Sequence, residues 1–112
     1  MAQLELEDNL HDGCLYQVQF GPRQEATLEI YTYGFLVHVR FGGIFNYAEV
    51  EKFFNSIQRP PFPNACLDQI LLLSYDQTVL SKPLNLNFIM QMEYSGSIKI
   101  HCKNITLSRQ KR

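Results

Sequence analysis

The chain has 112 residues, 46% of them hydrophobic and 19% charged, and its 10 basic and 11 acidic side chains give a formal net charge of −1. This length predicts a single domain over residues 1–112, and the hydrophobic fraction is too high for a disordered chain. A net charge near zero argues against nucleic-acid binding, which depends on positive charge. No apolar run is long enough to span a membrane, and the first residues lack a signal-peptide pattern. We therefore expect a cytoplasmic protein that does not contact a membrane.

The first part of the chain alternates apolar and polar residues in three segments, which predicts three strands. The alternation covers residues 14–20, 28–33 and 35–41, and the third segment ends at Gly42-Gly43. Side chains of a strand point alternately to the two faces of a sheet, so each segment is expected to bury one face.

The next segment changes to a helical period. Four apolar residues spaced at i, i+3, i+4 and i+7 form one stripe: Val50, Phe53, Phe54 and Ile57. This spacing predicts an amphipathic helix over about residues 46–58, which must bury its stripe against a sheet. Asn46 is predicted to cap the helix together with Glu49, and Pro60-Pro61 ends it.

The second half of the chain predicts three more strands. The continuous apolar run at residues 70–73 is typical of a central strand covered on both faces, and residues 84–92 and 98–102 alternate again. The order of elements predicts an α+β fold with about six mainly antiparallel strands. These strands form a curved sheet or a partly open barrel, with the helix between strands 3 and 4.

The cysteines and the His-Asp pair give no sign of a catalytic or metal centre. Cys14, Cys66 and Cys102 are odd in number and widely spaced, so we expect three reduced, buried thiols in a reducing compartment. His11-Asp12 is similar to the pair of metal-dependent phosphohydrolases, but the helices that supply their other ligands are absent, and we interpret it as a turn. No metal or cofactor is predicted.

Two groups of residues are candidate binding sites. The predicted strand at 84–92 has an uncharged polar face, which we expect to contact a partner or a second copy; it contains Asn85, Asn87, Ile89 and Gln91. The alternative is a ligand-binding or enzymatic barrel with a pocket inside the curved sheet, lined by Tyr16, Tyr31, Tyr33, His38 and Arg40.

Charge is divided between the two ends of the chain. Residues 1–12 contain four acids and no Lys or Arg, whereas residues 97–112 contain five bases and no acid. These segments either pair with each other, lie in solvent as an acidic end and a frayed basic tail, or form a docking surface steered by charge.

Two short segments carry a resemblance to a known family. His11-Asp12 followed by Cys14-Leu15-Tyr16-Gln17-Val18, and later Val39-Arg40-Phe41-Gly42-Gly43-Ile44, resemble small bacterial β-rich domains such as the immunity protein 50 family. The resemblance covers about the first half of the chain and brings no catalytic motif. It implies a cytoplasmic protein that acts by binding another protein. We therefore expect a non-enzymatic interaction domain whose partner is another protein or a second copy of itself.

Overall fold

The computed structural model describes residues 13–32, 34–57, 66–78 and 85–111. These residues form seven strands and one helix, in the order β1 (Cys14–Gly21), β2 (Glu25–Thr32), β3 (Phe35–Gly42), α1 (Tyr47–Asn55), β4 (Asp68–Thr78), β5 (Asn85–Met92), β6 (Gly96–Cys102) and β7 (Asn104–Lys111). No helix among them has the length and hydrophobicity needed to cross a membrane. The predicted turn at His11-Asp12 and the acidic segment 1–12 lie outside the described residues.

The strands form one curled sheet in the order β6-β5-β4-β1-β2-β3-β7, in which every pair of neighbours is antiparallel. The predicted α+β class with a curved antiparallel sheet is confirmed. The predicted strand number is wrong, because the basic segment near the end of the chain forms a seventh strand, β7. Only Ile105 and Leu107 supply its apolar alternation, which is a weak strand signal.

The two outer strands of the sheet are joined by one residue, so the sheet curls into a half-barrel. Lys103 separates β6 from β7, and its N–H donates to the carbonyl of Gly42 at 3.0 Å. The corner is tight: a Cβ atom at Gly42 would collide with the side chain of Asn104. Glycine at the end of β3 therefore allows the bent β6–β7 chain to pass close by.

Helix α1 buries the predicted stripe against the inner face of the sheet. Val50 and Phe54 are buried, and Phe53 and Ile57 are partly buried against the same core. Phe20 of β1 contacts the helix edge to face, with its ring 5.8 Å from that of Tyr47. The hydrophobic core continues across the half-barrel, where the rings of Phe41 and Phe88 lie 4.8 Å apart. Burial of these large side chains is the main source of stability.

The predicted side-chain cap of the helix is wrong. Asn46 occupies the N-cap position but makes no capping hydrogen bond, and the helix spans nine residues rather than the longer range predicted. The Asn46 side chain donates weakly to Glu49, at 3.2 Å. Its other hydrogen bonds are to the backbone of β6. The amide cannot cap the helix because the neighbouring strand engages both of its polar atoms.

The prediction of three reduced thiols is also wrong, because Cys14 and Cys66 form a disulfide with a Cα–Cα distance of 5.5 Å. Cys102 is free and buried as predicted, and burial raises the pKa of its thiol to about 11. A thiol of that kind is inert. The cytoplasmic location, for which reduced thiols are part of the argument, stays a prediction.

The disulfide reinforces the short seam between β1 and β4. These strands pair only at Cys14 with Gln69 and at Leu15 with Asp68. The N–H of Leu67 adds a hydrogen bond to the carbonyl of Leu15 at 2.8 Å. The covalent bond therefore joins two halves of the sheet that share few backbone hydrogen bonds.

A buried carboxylate stabilises the same region. Asp68 is 3% exposed and accepts backbone hydrogen bonds from Gln69 at 2.8 Å, Tyr94 at 3.1 Å and Ser95 at 2.7 Å. Burial alone would raise the pKa of Asp68, but these bonds and one from the Ser95 side chain lower it below 3.8 overall. Asp68 thereby connects the β5–β6 turn to the β1–β4 seam. Gly96, the first residue of β6 after this turn, has a φ of +89°.

Candidate binding edge and pocket

The two outer strands of the sheet differ in how their edges are covered. On β6, the N–H of Phe45 donates to the carbonyl of His101 at 2.7 Å. The side chain of Asn46 donates to the carbonyl of Lys99 at 2.7 Å and accepts from the N–H of His101 at 2.9 Å. The primary amide thus takes the place of a peptide group from a neighbouring strand, and this part of the β6 edge is occupied.

The outer edge of β7 is open among the residues that the structure describes. All eight residues of β7 pair with β3, from Asn104 opposite Gly42 to Lys111 opposite Phe35. No strand lies on the other side of β7 in the part of the chain that the structure describes. Six of its residues are exposed, and only Ile105 and Leu107 are partly buried. An edge strand of this kind presents a row of backbone N–H and carbonyl groups to an incoming strand.

This edge is positively charged. β3 and β7 together contain Arg40, Arg109 and Lys111, and neither strand contains an Asp or a Glu. All three basic side chains are exposed. Part of the basic segment identified in the sequence is therefore an ordered strand rather than a frayed tail, and its charge lies along an open edge.

A pocket of about 430 Å³ lies on the outer face of the sheet beside this edge. The outer face is the side opposite the core, because Val37, Val39 and Phe41 of β3 point inward. Residues from four adjacent strands line the pocket: Gln19, Phe20 and Gly21 of β1, Glu25 and Thr27 of β2, His38 and Arg40 of β3, and Thr106 and Ser108 of β7. Since β7 contributes two of these residues, the pocket borders the open edge.

One ion pair and one histidine–carboxylate contact organise the polar side chains at the pocket. Nη2 of Arg40 donates to Oε2 of Glu25 at 2.9 Å, and the Arg40 side chain is 60% exposed. Nε2 of His38 lies 3.6 Å from Oε1 of Glu29, which is a looser contact. An exposed ion pair such as Arg40–Glu25 adds little stability, so the Arg40 guanidinium remains available to a ligand.

The structure assembles only part of the pocket that the sequence predicted. His38 and Arg40 line one pocket, on the outer face of the sheet rather than inside it. The rings of Tyr16 and Tyr31 contact each other edge to face at 5.0 Å but do not line this pocket. Tyr33 lies outside the described residues.

The amide-rich face of β5 is present as a face, but its strand has no free edge. Leu86, Phe88, Met90 and Met92 point into the core, while Asn87, Ile89 and Gln91 point outward. β5 lies between β4 and β6, so a partner would have to bind through side chains alone. Ile89 is 37% exposed, and Asn87 Oδ1 is buried without a hydrogen bond from any residue that the structure describes. The side chain of Asn85 lies outside the described part.

The sequence interpretation missed the β1, β2 and β7 residues of the pocket. The β2–β3 hairpin places Thr27 opposite Arg40 and Glu29 opposite His38, and this register follows from the tight turn at Gly34. Pairing β2 with β3 across Gly34 would have placed Glu25 and Glu29 near Arg40 and His38. The contribution of β7 required knowledge of its pairing with β3, which no local pattern gives.

Comparisons with protein-family models, with curated proteins and with solved structures find no significant match to this chain. The resemblance to the immunity protein 50 family therefore stays a hypothesis, and the functional argument depends on the geometry of the edge and the pocket.

Proposed function

We propose that this protein is a non-enzymatic interaction domain that binds an extended segment of a partner protein along the free edge of β7. The observation that carries the proposal is the difference between the two edges: residues after β3 cover part of the β6 edge, whereas none of the described residues forms a strand on the outer side of the eight-residue β7. Addition of a strand to an open edge is a common mode of peptide recognition, in which main-chain hydrogen bonds supply the affinity.

The charge of the edge favours a different protein over a second copy. If two β7 strands paired with each other, Arg109 and Lys111 of both copies would lie on adjacent strands that contain no acid. Like charges on adjacent strands destabilise their pairing. A homodimer through this edge is thus less favourable than a complex with a partner segment that lacks this charge.

Peptide selection combined with proline substitution tests the proposal. A display library of random 12-residue peptides is selected on the immobilised protein, and the affinity of the best peptide is measured by calorimetry. Ser108→Pro and Arg109→Pro then remove N–H groups at neighbouring exposed positions of β7. Successive backbone groups point to opposite edges of a strand, so one proline affects the free edge and the other affects pairing with β3.

The proline variant that retains the native Tm should bind the selected peptide about tenfold more weakly, because it loses one main-chain hydrogen bond and positions the others poorly. Selection of no peptide, or unchanged affinity in that variant, would contradict the proposal. If both prolines lower the Tm, slowed amide exchange along β7 on addition of the peptide gives the same information.

A further inference from the structure

We infer that the partner segment is acidic and that one of its carboxylate side chains enters the outer-face pocket to bind Arg40. This inference rests on the proposed function and specifies the chemistry of the partner. It connects two features that the fold places side by side, the open edge of β7 and the charged pocket next to it.

The register of β3 and β7 positions the pocket for such a contact. Arg40 lies opposite Thr106, and His38 lies opposite Ser108. A strand added to β7 would place alternate side chains on the outer face beside Thr106 and Ser108, about 10 Å from β3 across two strand spacings. Thr106 and Ser108 are small, so a long side chain from the partner can pass over β7 toward Arg40.

Arg40 has the chemistry to accept this carboxylate. Its bond to Glu25 uses the single nitrogen Nη2, and the side chain is 60% exposed. A guanidinium group carries five N–H donors in a planar fork that matches a carboxylate. Arg40 can therefore hold Glu25 through one side of the fork while a partner glutamate or aspartate binds the other.

Charge selects an acidic peptide over a basic one. Arg40 is the basic residue on the outer face, while Arg109 and Lys111 add positive charge to β7 on the other face, where they lie opposite Val37 and Phe35. Nucleic acid is a poorer fit, because it carries a charge on every phosphate and the whole chain has a formal charge of −1. Binding of phosphates needs a stronger positive field than this surface provides.

Glutamine scanning of the selected peptide tests the inference. Each glutamate or aspartate of the peptide is replaced in turn by the corresponding amide, and all peptides are titrated against the native protein and the Arg40→Gln variant. One position should lose about fivefold or more in affinity on the native protein and little on Arg40→Gln, as expected when two charged groups interact directly. Arg109→Gln is the matched control, because Arg109 lies on β7 outside the pocket lining. It should weaken all the acidic peptides by a similar factor.

The outcomes separate this inference from the proposed function. If the selected peptides bind along β7 but are neutral or basic, the inference of an acidic partner is wrong and the proposed function is unaffected. Equal losses on native protein and Arg40→Gln at every position would overturn the contact with Arg40. If single-stranded poly-uridine RNA binds more tightly than the peptides, and the proline at the free edge weakens that binding, the partner is a nucleic acid and not an acidic segment.

Discussion

Replacing Asp68 with asparagine should lower the free energy of unfolding by about 2 kcal/mol. The side chain is 3% exposed, and its two oxygens accept three backbone N–H groups at distances from 2.7 to 3.1 Å. Asparagine retains one oxygen and turns an NH2 group toward the remaining donor. At least one buried N–H then lacks an acceptor, which costs about 1–3 kcal/mol. For a domain of this size the Tm should fall by about 8 °C.

The same substitution should change the dependence of stability on pH. Because the pKa of Asp68 is lowered below 3.8 in the folded protein, its charge contributes stability above the pKa of the unfolded chain. That contribution is lost as the pH falls through the folded pKa. The native protein should therefore lose this stability below about pH 4, whereas Asp68→Asn has none of it to lose. The difference between the two proteins should become smaller in acid.

Urea unfolding followed by circular dichroism at pH 7 and pH 3 measures both effects. Glu93→Gln is the control, since Glu93 is an exposed carboxylate beside the same turn, and its unfolding midpoint at pH 7 should match that of the native protein. An Asp68→Asn midpoint equal to the native one at pH 7 would refute the role given to these hydrogen bonds. A difference that stays constant between the two pH values would refute the pKa argument.

Three further changes test other parts of the fold. Asn46→Ala should lower the free energy of unfolding by about 1–2 kcal/mol, because the β6 backbone loses both amide hydrogen bonds; an unchanged urea midpoint would contradict this. Replacing Arg23 with Asn and Gln24 with Gly should raise the free energy of unfolding by about 1 kcal/mol, since both native residues have positive φ, 63° and 60°. A lower Tm would show that contacts of the native side chains stabilise the turn more than their backbone strain destabilises it. Reduction of the Cys14–Cys66 disulfide should lower the free energy of unfolding by about 2–4 kcal/mol, measured by thermal unfolding, while the same reductant should not change the stability of Cys14→Ser. Equal stability of the oxidised and reduced protein would contradict the stabilisation of the β1–β4 seam by the disulfide.

Local patterns predicted the elements of this fold better than their arrangement. The period of two located most of the strands, and the spacing of Val50 and Phe54 identified the buried stripe of the helix. β7 was missed because only Ile105 and Leu107 alternate, and because an edge strand buries little apolar surface. The disulfide was missed because its cysteines are 52 residues apart in sequence, and sequence spacing gives no distance in space.

The candidate site could be predicted only in part for a related reason. The period of a strand places His38 and Arg40 on one strand face, and the structure has them there. Their location on the outer face depends on which side the core occupies. The difference between the two edges depends on Asn46, whose amide covers the β6 edge instead of capping the helix. Capping rules describe the preference of an isolated helix end, and here a long-range contact with a strand was stronger.

Backbone amide exchange, resolved residue by residue by NMR, tests the difference between the two edges most directly. In the free protein the N–H of His101 should exchange slowly, because Asn46 accepts its hydrogen bond, while alternate N–H groups of β7 should exchange fast. Those β7 groups should become protected when the selected peptide saturates the protein. Protection along all of β7 in the free monomer, or no slowing on saturation, would contradict an open binding edge.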